Sequence, residues 1–202
     1  SKRGKFRIYK SEVKFFSPEA FLFCNNFKSF STPYITIYKM RAVIQRVTNA
    51  SVSVNNELIS SIGKGLCVLI GISRDDKPKD VEYIVRKILN LRLFDDDEGR
   101  RWKKSVKDSN LEILCVSQFT LYSILKGNKL DFHLAMGPDD SKGFYENFLE
   151  ELKKNYKSDL IKDGVFGAYM NVHIENDGPI TVQLDSNRGG GGGDGTEGAS
   201  NK

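Results

Sequence analysis

The chain is expected to fold as α+β, with a mixed, mainly antiparallel and barrel-like sheet accompanied by two main helices. Three observations predict it. Alternating apolar residues open and close the central region, a continuous apolar run (GLCVLIGI, 65–72) lies between them, and two stretches switch to helical periodicity. Strands interrupted by two helices, without regular strand–helix alternation, argue for a mixed layout over a doubly wound parallel sheet.

In chain order, RAVIQRV (41–47) alternates and runs into SVSV (51–54). Asn55-Asn56 offers a turn before ELISSI (57–62), so an antiparallel start is expected. The run 65–72 does not alternate and suits a strand covered on both faces. Within 76–94, Val81, Ile84, Val85, Ile88 and Leu89 recur at helical spacing, predicting a helix with one buried face. LEILCVSQFTLY (111–122) reads as a central strand ending in polar residues. A second helix is expected over 141–156, with Phe144, Phe148 and Leu152 on one stripe. Met170, Val172 and Ile174 then alternate with Asn171, His173 and Glu175, a turn follows at 176–179, and Ile180, Val182 and Leu184 alternate in a last strand.

The 202 residues suit one domain with tails, and a domain of ~150 residues can bury roughly 70% of its unfolded surface without staples. Cys24, Cys67 and Cys115 are too few and too scattered for a disulfide framework, so a reducing compartment is the default. Cys67 and Cys115 sit in apolar runs, as small buried hydrophobes do. With no CxxC pair and no Cys/His cluster, no metal site and no cofactor are expected. No apolar stretch approaches the ~20 residues a membrane helix needs.

The net charge of +5 is unevenly distributed. Residues 1–39 hold eight Lys/Arg against Glu12 and Glu19, whereas the remainder holds 23 basic and 24 acidic residues. A nearly neutral domain lacks the basic stripe of a protein that grips long nucleic acid by counterion release. Three zones follow. Residues 1–39, basic and rich in Phe and Ser, form an extension that resembles an organelle transit peptide, an upstream translated extension or an added strand. Residues 40–185 form the domain, with Met40 reading as a natural start. Residues 186–202 (SNRGGGGGDGTEGASNK) cannot pack a core and are expected to be a disordered tail.

Chemistry is sought where polar residues break an apolar pattern. Ser117-Gln118-Phe119-Thr120 closes a very apolar strand, and its side chains and backbone N–H groups can face an oxyanion; the plain alternative is a strand reaching solvent. Asn176-Asp177-Gly178-Pro179-Ile180-Thr181 carries an ordinary turn signal, and a plain hairpin is the default there. A Gly-Pro bond is also one of the few that can be cis at small cost, which would turn two carbonyls to one side. The only histidines are His133 and His173, no GxSxG elbow exists, and a Ser-His-Asp set cannot readily be assembled. Asp95-Asp96-Asp97-Glu98 lacks EF-hand spacing and reads as a solvated turn. Trp102, after Arg100-Arg101, suits base stacking or a core or rim position equally.

Taken together, MRAVIQRV (40–47), GLCVLIGI, RKILNLRLF (86–94), SQFTL (117–121), KGNK-DFHLAM (126–136), FGAYM (166–170) and NDGPIT (176–181) resemble the D-aminoacyl-tRNA deacylase family. The resemblance spans 40–185 and leaves both tails outside. It implies a cytoplasmic homodimer, or an organellar one if 1–39 is a transit peptide, with active sites at the subunit interface and tRNA as substrate. Carried over, Gly178-Pro179 is a cis corner whose carbonyls enter the partner's pocket as a chirality filter, with Arg46 fixing its orientation and Asn176 and Thr181 flanking it. Ser117, Gln118, Phe119 and Thr120 line the pocket around the terminal adenosine and the ester, and Ala135 and Met170 flank it. Leu130 stands where Pro is common, and Met136-Gly137-Pro138 replaces the usual Met-Pro, which puts only local loop geometry in doubt.

An aminoacyl ester is already activated, so water needs positioning and a stabilised oxyanion more than a strong base. Thr120 as nucleophile would need an adjacent base, and none is evident. The substrate's own 2′-hydroxyl is therefore expected to orient water. Rejection of L substrates by clash leaves glycine, which has no side chain, free to enter. The alternative function is a DNA-binding, replication-associated module that uses the basic extension.

Overall fold

The computed structural model describes residues 39–187. Expectations for the basic extension 1–38 and the tail from 188 onward lie outside the described residues. β1 (Arg41–Val54) and β2 (Glu57–Ile62) form the expected antiparallel pair. Asn55 and Asn56 join them with φ of 51° and 67°, the two positive values that a type I′ hairpin turn requires. β3 (Gly65–Gly71) pairs antiparallel with β1 on its other side and parallel with β6 (Glu112–Ser117), which in turn pairs parallel with β9 (Ile161–Asp163). Gly65 is required where β3 meets β6, because a Cβ there would lie 2.0 Å from the Glu112 carbonyl oxygen.

The central sheet runs β10-β1-β3-β6-β9, with β2 also on β1. Ser60 Oγ of β2 donates to the Asp163 carbonyl of β9 at 2.7 Å, so the far ends of the sheet nearly meet and the curl is almost a barrel. Three of its strand pairs are antiparallel and two parallel, so the mixed, mainly antiparallel expectation holds. Short strands β4 (Arg92–Phe94) with β5 (Lys104–Ser105), and β7 (Ile124–Lys126) with β8 (Lys129–Asp131), form two outlying hairpins.

Two cores explain the apolar run in β3. Leu66, Val68 and Ile70 face one cluster with Ile113 and Cys115 of β6 and the inner stripes of the two helices. Cys67 faces the second cluster, inside the curl, with Leu114 and Val116. Both faces of β3 and β6 are covered, so alternation carries no advantage there. Cys67 and Cys115 are buried free thiols, as expected.

α1 (Pro78–Asn90) begins three residues before its first core residue, Val81, and its start is held by side-chain acceptors. Asp76 Oδ2 accepts from the Ser73 amide at 2.8 Å, and Asp80 Oδ2 accepts from the Lys77 amide at 2.9 Å. The helix ends earlier than the expected 94. Leu91 turns extended, and Leu93 and Phe94 enter the core from β4 instead. α2 (Pro138–Asn155) starts three residues before the expected 141, because Pro138 suits a first helical position. The expected strand 111–122 stops at Ser117, and Phe119–Tyr122 winds into a 3-10 turn that buries Tyr122.

The largest correction concerns the last two strands. They are one strand, β10 (Asn171–Asp185), antiparallel to β1 along its whole length, so 176–179 is not a hairpin turn. Gln45 pairs with Thr181 and Val47 with Asn176, leaving Arg46 alone opposite the four residues 177–180. That excess is an enlarged bulge, and it falls where β1 and β10 pass from the helix-side core to the inner one. No helix among the described residues is long and apolar enough to cross a membrane.

Candidate active site

β3 and β6 run parallel and end together, and beyond their C-terminal ends lies a cleft of about 490 Å³. Ser117, Gln118 and Phe119 form one wall, Ala135 and Met136 another, and Met170 a third. These include five of the residues singled out in sequence: Ser117, Gln118, Phe119, Ala135 and Met170. The lining is mostly apolar with few polar groups, the usual character of a small-molecule site.

The wall has local causes. The Gln118 amide donates to the Ile70 carbonyl at 2.7 Å, extending the β3–β6 pairing by one bond before the chain coils. The opening amides of the following 3-10 turn, Phe119 and Thr120, are those a helical turn leaves without internal acceptors. Phe119 is 59% exposed and its ring meets Phe132 edge-on, with centroids 4.9 Å apart. Thr120 does not line the cleft. Its hydroxyl oxygen accepts from Gln118 Nε2 at 2.6 Å, and among the described residues neither histidine hydrogen-bonds to it. His133 is exposed and bound to Asp131, and His173 is exposed on β10 opposite Ser51.

The remaining candidates gather at the bulge. Gly178 and Pro179 are exposed at its tip, the bond between them is cis, and they line no part of the chain's own cleft. Arg46 Nε lies 2.9 Å from Asp177 Oδ2, too poorly aligned for a hydrogen bond, so the contact is an ion pair. Arg46 Nη1 also donates to the Leu93 carbonyl at 2.7 Å, a second hold on the guanidinium. Asn176 Nδ2 donates to the carbonyls of Arg46 and Ile180, at 2.8 and 3.0 Å, and closes the base of the loop. Thr181 is exposed, its hydroxyl 3.5 Å from Gln45 Nε2.

Sequence reasoning did not single out Tyr169 or Phe166, which also line the cleft; Tyr169 is 89% exposed. Their signal was aromatics among small residues in FGAYM, a segment that fits neither periodicity. The acidic run 95–98 is a turn: Asp96 accepts from the Glu98 and Arg100 amides and pairs with the Arg100 side chain. Those bonds hold the Asp96 carboxyl below its ordinary range, with the Arg100 side chain the main cause. Trp102 sits half-exposed in that turn with φ of 60°.

Fold and site thus define a near-barrel α+β protein with an apolar cleft beside a parallel strand pair and a rigidly held Gly-Pro bulge on its longest strand. The family described as D-Tyr-tRNA(Tyr) deacylase matches residues 43–185, and the chain belongs to it. It is 63% identical over 147 residues to D-aminoacyl-tRNA deacylase 1 of Homo sapiens, covering 73% of this chain and 70% of that protein. It is 65% identical over 147 residues to D-aminoacyl-tRNA deacylase of Drosophila melanogaster, covering 73% of this chain and 92% of that one. A solved structure named c-Myc DNA Unwinding Element Binding Protein superposes with a TM-score of 0.70 at 62% identity, covering 72% of this chain and 97% of that chain.

Proposed function

We propose that this protein hydrolyses the ester linking a D-amino acid to tRNA, releasing the free amino acid and the tRNA. The observation that carries this reading is that the family match runs through both the cleft wall at 117–119 and the bulge at 177–180. In this reading the terminal adenosine enters the cleft, where Phe119 and Tyr169 offer aromatic faces. Amides at Phe119 and Thr120 hold the oxyanion, and the adenosine 2′-hydroxyl orients the attacking water.

The active unit is a homodimer in which each bulge enters the partner's cleft. β10 supports this: it is an edge strand of 15 residues whose apolar side chains Val172, Ile174, Ile180, Val182 and Leu184 are only partly buried in one chain. A long, uncovered edge of that kind is rarely left open. The carbonyls of Gly178 and Pro179 then fill the volume an L side chain needs, so D-aminoacyl and glycyl esters are accepted and L esters are not.

One deacylation assay tests this. D-tyrosyl- and glycyl-tRNA are expected to be hydrolysed and L-tyrosyl-tRNA spared; equal rates on both hands would defeat the filter. In the same assay Thr120→Ala is expected to keep turnover within about 3-fold, since no base contacts its hydroxyl. Complete loss would instead make Thr120 the nucleophile. A DNA-binding role through the basic extension is the second reading, motivated by the charge of residues 1–39. Salt-dependent DNA binding that disappears on deleting them, without loss of hydrolysis, would establish it alongside the first.

A further inference from the structure

A second concavity, of about 570 Å³, lies between α1 and α2, away from the cleft. Its lining carries Lys79 and Arg86 from α1, Lys107 from the loop after β5, and Lys154 from α2, against only Glu82 and Glu151. On α1 the positions 79, 82, 83, 86 and 90 fall at helical spacing and form one outward stripe. Among the described residues Lys79, Arg86 and Lys107 form no ion pair, whereas Lys154 pairs with Glu151 at 3.1 Å. Tyr83 stands in the lining with the Arg86 and Lys87 cations at 5.5 and 5.6 Å from its ring centre.

This charge is not the overflow of a basic domain. Residues 39–187 hold 22 Lys/Arg and 22 Asp/Glu, so net positive charge in the groove is a local concentration. Three cations without ion pairs line one groove, Arg86 among them at the Tyr83 ring, and this suits a polyanion with stackable groups such as a nucleic-acid strand.

The placement relates the groove to the cleft. Ser141 of α2 lines the cleft and Asn155 of the same helix lines the groove. Fourteen residues are close to four full turns at 3.6 residues per turn, so both side chains lie on the same side of α2. At 1.5 Å per residue they are about 20 Å apart along its axis. A stacked strand advances about 3.4 Å per nucleotide, so this is the reach of roughly six nucleotides. An RNA whose 3′ terminus sits in the cleft would bring the end of its acceptor stem to the groove.

We propose that the α1–α2 groove is a backbone-binding site for the acceptor stem of the tRNA whose 3′ end enters the cleft, with Lys79, Arg86 and Lys107 as the phosphate contacts. This rests on the deacylase reading and adds to it where the body of the substrate is held. It accounts for how a domain with no basic stripe holds an RNA: a few phosphates are gripped at a fixed distance from the ester.

The test compares the full chain with its K79E/R86E/K107E variant on two substrates, D-tyrosyl-tRNA and the D-tyrosyl ester of adenosine, which lacks a stem. The variant is expected to raise KM for D-tyrosyl-tRNA at least about 10-fold with kcat nearly unchanged. The logarithmic salt slope of kcat/KM should fall by about 2, since each lost phosphate contact removes ~0.7–0.9. Hydrolysis of the adenosine ester should not change, which also shows that the variant is folded. Equal losses on both substrates, or an unaltered salt slope, overturn the groove. So does weakened binding of duplex DNA with tRNA kinetics untouched, which would make the groove a DNA contact. A milder K79Q/R86Q/K107Q variant repeats the comparison if charge reversal impairs folding. If the unaltered protein cleaves neither ester, the deacylase reading itself fails, and binding of uncharged tRNA by the two forms still decides the groove.

Discussion

Gly178→Ala is expected to reduce the preference for D- over L-tyrosyl-tRNA by about 100-fold, a loss of ~2.7 kcal/mol in discrimination. Gly178 has φ of 117°, a region L side chains rarely adopt, and a Cβ there would lie 2.8 Å from Ile180 Cγ1. The bulge must therefore shift. Its base resists that shift, because Asn176 ties the Arg46 and Ile180 carbonyls together and Arg46 holds Asp177. The tip moves against a fixed base, so the loss should appear in chiral selectivity more than in folding. The measurement is the ratio of kcat/KM for the two esters, with thermal unfolding as control. Arg46→Gln should follow in the same direction with a smaller effect, since Asn176 still closes the loop. Full rejection of the L ester by Gly178→Ala would remove the bulge from the specificity mechanism.

Asp76→Asn is expected to stabilise the fold at pH 8 by on the order of 3 kcal/mol while changing little at pH 4. Burial pushes the Asp76 carboxyl up to about 7, and nearby Asp80 adds to the rise. The Ser73 and Met40 amides and the Lys39 ammonium oppose it. Asp76 is 6% exposed, and its Oδ1 has no hydrogen-bond partner. The folded chain thus keeps this proton when the unfolded chain, with an ordinary carboxyl near 4, has released it. Stability falls as pH rises from about 4 to about 7 and is flat in this term above that. Asparagine removes the titration and can still accept from the Ser73 amide. Unfolding temperatures of the two forms should coincide in acid and separate by roughly 10 °C at pH 8, given ~2–4 °C per kcal/mol for a domain of this size. Parallel curves across that range would show that Asp76 is not the titrating group.

What could be read in advance was what depends on near neighbours in the chain. The β1–β2 hairpin followed from Asn55-Asn56 between alternating runs, and the two helices from their apolar stripes. The doubly covered β3 followed from unbroken hydrophobicity, because a strand with core on both faces gains from every apolar side chain. Of the cleft residues, Ser117, Gln118 and Phe119 were legible as a break in pattern, whereas Ala135 and Met170 were legible only through the family resemblance.

Element ends and the bulge were decided by distant partners. Leu91 could have continued α1; it turned because Leu93 and Phe94 had space to fill in the core from β4. At 176–179 the local code for a hairpin turn was overruled: the segment is an irregularity within one strand. Whether Gly178-Pro179 reverses the chain or merely bows out depends on what lies beside it, and β1 pairs with both flanks. Composition and periodicity alone determined an α+β domain with a pattern break at each candidate segment. Tertiary structure decided that these breaks become a cleft and a bulge, because only pairing with β1 leaves Arg46 facing four residues and forces their tip into solvent.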